Sequence, residues 1–315
     1  MNNLLHTLQI LTSNTPILPE NQNTNIPSYF DLNVKPDQKQ NLMINIKNNS
    51  EENVKYNIYV NTAVTNQNGI IDYSISDFEK DKSMKVSLKD CIVIEEPQVE
   101  IPANSEKIVS LALSVPEIPF EGIVLGGITV EPTASEGKEG VNNVFTRTLA
   151  VQLSESRETI IPKLESGAVK ISQENLRNNI KFELRNTSPT IISKIKAKIS
   201  IINQRDKKTV IEQTKEPLSF APNSIFFLMT EWNEQFKPGK YTYTINLSDE
   251  EKNKWKFTKN FEIKEEVVKK LNKTSVDQQN SSSNDPFLSI TILILIGTLL
   301  WLVLKIVKKN SLKKN

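Results

Sequence analysis

Along most of this chain every second side chain is apolar, and that period dictates extended backbone. Leu42, Ile44 and Ile46 alternate with Met43, Asn45 and Lys47, and Val54, Tyr56, Ile58 and Val60 alternate with Lys55, Asn57, Tyr59 and Asn61. Because a strand turns successive side chains to opposite faces, each run has one buried face and one wet face. Val109, Leu111, Leu113 and Val115 repeat the pattern. Ile123 to Val130 and Val144 to Leu153 read as two further strands, joined by a polar excursion over 131–143.

A second series begins near Lys163. Ile180, Phe182 and Leu184 share one face, as do Ile191, Ile195, Ala197, Ile199 and Ile201, then Tyr241, Tyr243, Ile245 and Leu247. Trp255, Phe257, Phe261 and Ile263 take the inward positions of a last strand. No stretch before Phe287 sustains a helical period. Short alternating strands punctuated by Pro and Gly predict an all-β chain of two tandem immunoglobulin-like antiparallel β-sandwiches, over residues 17–155 and 160–265. The two halves echo each other. Ile44-Asn-Ile-Lys-Asn48-Asn-Ser50 parallels Phe182-Glu-Leu-Arg-Asn186-Thr-Ser188, Pro102-Ala-Asn104-Ser105 parallels Ala221-Pro-Asn223-Ser224, and Phe120-Glu-Gly122 parallels Phe236-Lys-Pro-Gly239.

After a Lys-, Gln-, Asn- and Ser-rich linker over 267–286, residues 287–304 carry no charge. At about 1.5 Å per residue they rise roughly 27 Å as a helix, close to a hydrocarbon core of about 30 Å, and Ile306 and Val307 extend the run. Lys308, Lys309, Lys313 and Lys314 follow in a basic tail over 308–315. The positive-inside bias places that tail in the cytoplasm and the sandwiches outside. The expectation is a single-pass cell-membrane protein anchored by residues 287–307, with extracellular domains at the cell wall. Met1 to Leu11 has no Lys or Arg and no continuous apolar run, so the expectation is either a signal peptide missing from this start, which fits a large exterior better, or targeting by the C-terminal span.

The formal charge of +2 includes the tail lysines, which leaves the exterior nearly neutral and gives no electrostatic reason to expect nucleic acid. Cys91 is the only cysteine, so no intramolecular disulfide forms and the domains rely on apolar cores; a lone cysteine of this kind reads as a small buried hydrophobe. His6 is the only histidine, which removes histidine-based nucleophile systems and histidine metal sites. No Walker loop and no cluster of cysteines occurs. Gly122-Ile-Val-Leu-Gly126-Gly127 lacks the Lys-Ser/Thr of a phosphate loop, and glycines beside a strand mark close backbone approach. Glu95-Glu96 and Glu250-Glu251 read as solvated surface. The chain is expected to be no enzyme, with no metal and no cofactor.

One segment is more distinctive than strand periodicity requires. Asn61 to Ser74 sets a polar Thr65-Asn66-Gln67-Asn68-Gly69 turn between two apolar stretches and ends on Asp72-Tyr73. Asn-Gly is a tight-turn signal in its own right. Aromatic, acidic and amide groups also suit recognition of sugars and peptides by stacking and hydrogen bonding. Asn66, Asn68, Asp72 and Tyr73 are the candidate ligand-binding residues.

Leu18-Pro-Glu-Asn-Gln22, Tyr29-Phe-Asp-Leu32 leading to Pro36, Ala63-Val-Thr-Asn66 with Gly69 and Ile71-Asp-Tyr-Ser74, and Phe120-x-Gly122-Ile-Val-Leu-Gly126-Gly127 resemble the WxL-interacting protein family of Gram-positive bacteria. The resemblance covers nearly all of residues 17–314. It implies a peptidoglycan-binding-type domain, then a host-binding-type domain, a membrane span and a basic tail. It further implies a non-enzymatic surface adaptor with WxL-domain proteins, peptidoglycan and host extracellular matrix proteins as partners. A purely structural subunit of a surface complex and a wall-modifying glycosidase are the alternatives.

Overall fold

The computed structural model describes residues 12–133 and 146–276. The expected span over 287–307, its basic tail and most of the expected linker lie outside the described residues.

The first sandwich contains β1 (Thr12–Ile17), β2 (Phe30–Asn33), β3 (Lys39–Asn48), β4 (Val54–Thr62), the short pair β5 (Val64–Thr65) and β6 (Ile71–Asp72), and a single turn α1 (Leu88–Cys91). It continues through β7 (Ile92–Ile94), β8 (Gln98–Ile101), β9 (Ser105–Ser114), β10 (Val124–Pro132) and β11 (Arg147–Ser154). One sheet has the order β1-β3-β9-β7 and the other β2-β11-β10-β4-β8. The alternating residues of both sheets meet in a single core that includes Leu42, Ile44, Ile46, Tyr56, Ile58, Val60, Leu111 and Ile128. Cys91 is buried there as well, with its Sγ 3.4 Å from the Ser87 carbonyl.

The second sandwich is built from β12 (Leu164–Glu174), β13 (Arg177–Asn186), β14 (Ile192–Asn203), β15 (Thr209–Phe220), β16 (Ser224–Glu231), β17 (Gly239–Ser248) and β18 (Lys254–Ile263). Its sheets are β12-β13-β16 and β15-β14-β17-β18. Phe182 of one sheet packs on Tyr243 of the other with ring centroids 4.6 Å apart, and the Tyr243 hydroxyl lies 2.7 Å from Thr230 Oγ1.

Three features depart from the sequence expectation. The sheets are not wholly antiparallel, because β2 runs parallel to β11, pairing Val151 with Phe30 and Leu153 with Leu32. The chain crosses between sheets after β1, and β2 covers an edge that the antiparallel pairs leave open. Trp255, Phe257 and Phe261 are only half-buried, since β18 is itself an edge strand. The expected linker begins as a helix, α2 (Glu265–Asn272), with Glu265 and Glu266 in its first turn, Lys269 and Lys270 in its last, and a Glu265–Lys269 pair at 2.9 Å. That charge order complements the helix dipole.

The chain divides into two compact units. The larger holds the first sandwich and most of the second. In the smaller, formed by residues 173–179, 231–238 and the segment from 263, Asn272 Nδ2 donates to the Phe236 carbonyl at 2.9 Å and its Oδ1 accepts from Phe236 N at 2.9 Å. Gln173 Nε2 donates to the Leu271 carbonyl at 2.8 Å, an acceptor that Thr274 N and Ser275 N also reach at the end of the helix.

The echoed turns prove to be one device built twice. Buried Asn48 donates from Nδ2 to the carbonyls of Glu52, Ile101 and Pro102, while its Oδ1 accepts from Ser50 N and Oγ. Buried Asn186 donates to Thr190 and Ala221 carbonyls and accepts from Ser188 N and Oγ. Asn104 and Asn223 both take positive φ, +52° and +50°, and donate from N to the carbonyls of Ser50 and Ser188. Each asparagine thus ties the end of one strand to the turn that starts another.

Candidate ligand-binding face and the joint beside it

Four short sequence segments far apart in the chain converge on the outer face of the sheet β2-β11-β10-β4. The loop before β2 is shaped by Gln22, whose Nε2 donates to the carbonyls of Ile26 and Tyr29 at 2.6 and 3.0 Å and whose Oε1 accepts from Asp31 N at 3.0 Å. Asp31 points to the outer face, opposite the core-facing Phe30 and Leu32. Its carboxylate is 4% exposed and accepts from Arg157 Nη1, Gln152 Nε2 and Asn23 Nδ2 at 2.9, 2.9 and 2.7 Å. Such a carboxylate has its acceptor sites filled from within and serves to position the loop. The product is a fixed, half-buried Tyr29. Burial pushes its hydroxyl pKa up, the Asp31 charge adds to the rise, and Arg157 opposes it.

Tyr73 reaches the same face from the other side. Asn61 Nδ2 donates to its carbonyl at 3.0 Å, and its ring lies over Gly127 of β10, where an added Cβ would stand 3.2 Å from Cδ1. The adjacent Gly126 leaves room for Leu88 on the core side. The Gly-Gly pair therefore seats one side chain on each face of the sheet. Burial raises the Tyr73 pKa, and the Tyr29 hydroxyl adds to the rise. Farther along the face, Thr129 Oγ1 lies 2.9 Å from Thr148 Oγ1, and the Tyr59 hydroxyl donates to Glu131 at 3.5 Å. Three half-buried tyrosines, hydroxyls and a carboxylate make an amphipathic surface suited to stacking and hydrogen bonding on sugar rings.

The four residues singled out from sequence divide between two places. Tyr73 belongs to this face. Asn66 and Asn68 lie in the β5–β6 turn, which docks on the second sandwich: Met229 N donates to the Gln67 carbonyl and Ser219 N to the Gly69 carbonyl, both at 2.8 Å. Asn66 Nδ2 donates to Asp72 Oδ2 at 3.0 Å, and its Oδ1 accepts from Asn68 N at 3.0 Å. Asp72 also accepts from Ser74 N and Oγ; burial would raise its pKa, but these bonds hold it below the usual carboxylate range.

The rest of the joint is equally dense. Thr65 Oγ1 accepts from Ala221 N at 2.9 Å and lies 2.7 Å from Ser224 Oγ. Ile123 N donates to the Pro189 carbonyl at 2.7 Å, and Ala63, Leu125 and Ala221 form a small apolar cluster with Ile71 and Tyr73 packed against it. Tyr59 and Arg157 were not singled out from sequence, and Tyr29 entered only within the Tyr29-Phe-Asp-Leu32 motif. The paired glycines of β10 were the one local signal that a side chain sits over that strand.

Two family models match the chain, one described as WxL Interacting Protein, peptidoglycan binding domain, over residues 13–132, and one described as WxL Interacting Protein, host binding domain, over residues 136–273. The chain belongs to the WxL-interacting protein family. Tyr29, Tyr59, Tyr73 and Gly127 all fall inside the first matched domain of this WxL-interacting protein, whereas Ser219, Ser224 and Met229 of the joint fall inside the second. No curated protein matches the chain. Among solved structures, the chaperone–tip adhesin complex of CFA/I fimbriae is 12% identical, covering 79% of this chain and 97% of its own, with a TM-score of 0.33. The E. coli chaperone DraB is 13% identical, covering 70% and 89%, with a TM-score of 0.28. At these scores the likenesses carry no weight for the site.

Proposed function

We propose that this chain is a non-enzymatic cell-surface adaptor, held in the membrane by residues 287–307, that binds peptidoglycan through the outer face of its first sandwich. WxL-domain proteins are its protein partners, a reading supported by the family name, and host matrix proteins are reached by the second sandwich. The observation that carries the wall contact is Tyr73 laid over Gly127, in the domain whose family model is described as peptidoglycan binding. An extracellular position at the wall is supported by the uncharged run over 287–304 followed by lysines.

The non-enzymatic reading is supported by how the carboxylates are engaged. Asp31 is neutralised by Arg157, Glu96 pairs with Lys107 at 2.6 Å and Glu250 with Lys194 at 2.6 Å. A glycosidase instead needs two carboxyl groups flanking an open space.

The test is co-sedimentation of the detergent-solubilised full chain with purified sacculi. Tyr29→Ala and Tyr59→Ala should lower the bound fraction about tenfold, while Tyr73→Phe, which keeps the packing, should retain most of it. Unchanged sedimentation of the alanine variants would remove this face as the wall contact, and release of soluble muropeptides would refute the non-enzymatic reading.

A further inference from the structure

The outer face of β14, β17 and β18 carries a concentrated positive charge. Lys196 and Lys198 on β14 pair in register with Ser248 and Asn246 on β17. On the far side of β17, Thr244 and Thr258 hydroxyls lie 3.3 Å apart and Thr242 donates to Asn260 at 2.9 Å, a register that sets Lys256 beside Asn246 and Lys254 beside Ser248. Lys196, Lys198, Lys254 and Lys256 surround a shallow depression of about 360 Å³, with Asn246 and Ser248 on its floor. The lattice of cations is about 7 Å along the strands and about 10 Å across them.

Only Lys196 has a carboxylate partner here among the described ion pairs, Glu216 at 2.8 Å. Lys198, Lys254 and Lys256 are exposed and point into solvent. Lysines on an edge strand such as β18 ordinarily deter strand addition. That account does not reach Lys198, which sits on an interior strand. The like charges on β14 and β18 are separated by the uncharged Asn246 and Ser248 of β17, so that they stand side by side in solvent rather than opposite one another. The face presents a charge pattern that is complementary to an extended polyanion, and its Asn, Ser and Thr side chains supply hydrogen bonds for ring hydroxyls and anionic oxygens.

We propose that this face of the second sandwich binds a linear sulfated polysaccharide. The proposal deepens the reading of that sandwich as the host-facing half of the adaptor and rests on it. Lysine ammonium groups are compact point charges that suit sulfate groups repeated along a flexible chain, and three exposed contacts give binding that is weak per site and strongly sensitive to salt.

The experiment uses the full chain in detergent, wild type and a Lys198→Gln/Lys254→Gln/Lys256→Gln variant, applied to immobilised heparin and, separately, to sacculi. The variant should bind heparin about tenfold or more weakly, because three exposed ionic contacts each contribute a few-fold. Its sacculus binding should match wild type, which also shows that it is folded. Raised salt should release wild type from heparin. Heparin binding that the triple substitution leaves intact would overturn the proposal, as would tighter retention on a glycerol-phosphate polymer or on DNA than on heparin. Capture of a glycan-free host matrix protein by both forms without heparin retention would also overturn it, while leaving the host-facing reading in place. Loss of sacculus binding by wild type would count against the wall contact alone.

Discussion

Arg185 of the second sandwich donates from Nε and Nη2 to the two carboxylate oxygens of Asp81 in the first, at 2.6 and 3.1 Å, and the Asp81 side chain is 1% exposed. A buried carboxylate of one domain is thus neutralised by a guanidinium of the next. Ser83 N and Oγ satisfy the same carboxylate at 2.8 Å each.

Removing the cation should cost more than removing the pair. Arg185→Ala leaves a buried charge unpaired and should lower stability by about 3 kcal/mol, whereas Asp81→Asn with Arg185→Ala should cost less than Arg185→Ala alone. Urea unfolding of the four chains of the cycle checks this.

The pH dependence follows from Asp72 and Asp81. Burial acts to raise both, but the bonds from Ser74 and Asn66, and from Arg185 and Ser83, bring both below the ordinary carboxylate value. A folded-state pKa below the unfolded one, about 3.9, contributes stability that is present above that value and lost as pH falls below it. Denaturant midpoints should therefore hold from pH 7 to about pH 5 and fall toward pH 3, and Asp81→Asn should flatten part of that fall.

Gly122 has φ of +68°, and a Cβ there would strike the carbonyl of Pro189, the acceptor of Ile123 N. Gly122→Ala should destabilise by about 2 kcal/mol and open the joint. A lowered Tm with faster proteolysis between residues 155 and 163 is the expected result.

Asn48→Ala and Asn186→Ala each strand several buried carbonyls and a serine. Both should cost about 2 to 4 kcal/mol. Similar losses in urea would show that the two copies of the turn carry comparable weight.

Cys91 is buried, and burial, followed by the Asp90 charge, pushes its thiol up to about 11. It should resist a thiol reagent at pH 8 in the native chain and react on unfolding, since the thiolate is the nucleophile. Mass spectrometry after labelling with and without denaturant distinguishes the two.

The inward positions of the long strands were legible because a period of two needs no tertiary information: Ile44, Phe182, Ile199 and Tyr243 are all fully or nearly fully buried. An Asn-Gly turn, by contrast, has one local chemistry whether it faces water or another domain, so nothing near Asn66 or Asn68 announced that their backbone would meet Ser219 and Met229. The contact of Tyr73 with Gly127 spans two elements, and only the glycine half leaves a trace in sequence. α2 was hidden because its apolar side is only Val267, Val268 and Leu271, too short a run for a helical period to show.

The β5–β6 turn also governs how this protein can be dissected. Gly69 sits against Leu218 and Leu228, and Ala63 and Leu125 cluster with Ala221. A cut between the sandwiches would uncover apolar surface on both halves and strip four backbone amides of their acceptors. Each half expressed alone is therefore an incomplete object, prone to self-association at the severed surface, and ligand specificity is better mapped by substitution within the intact pair than by truncation.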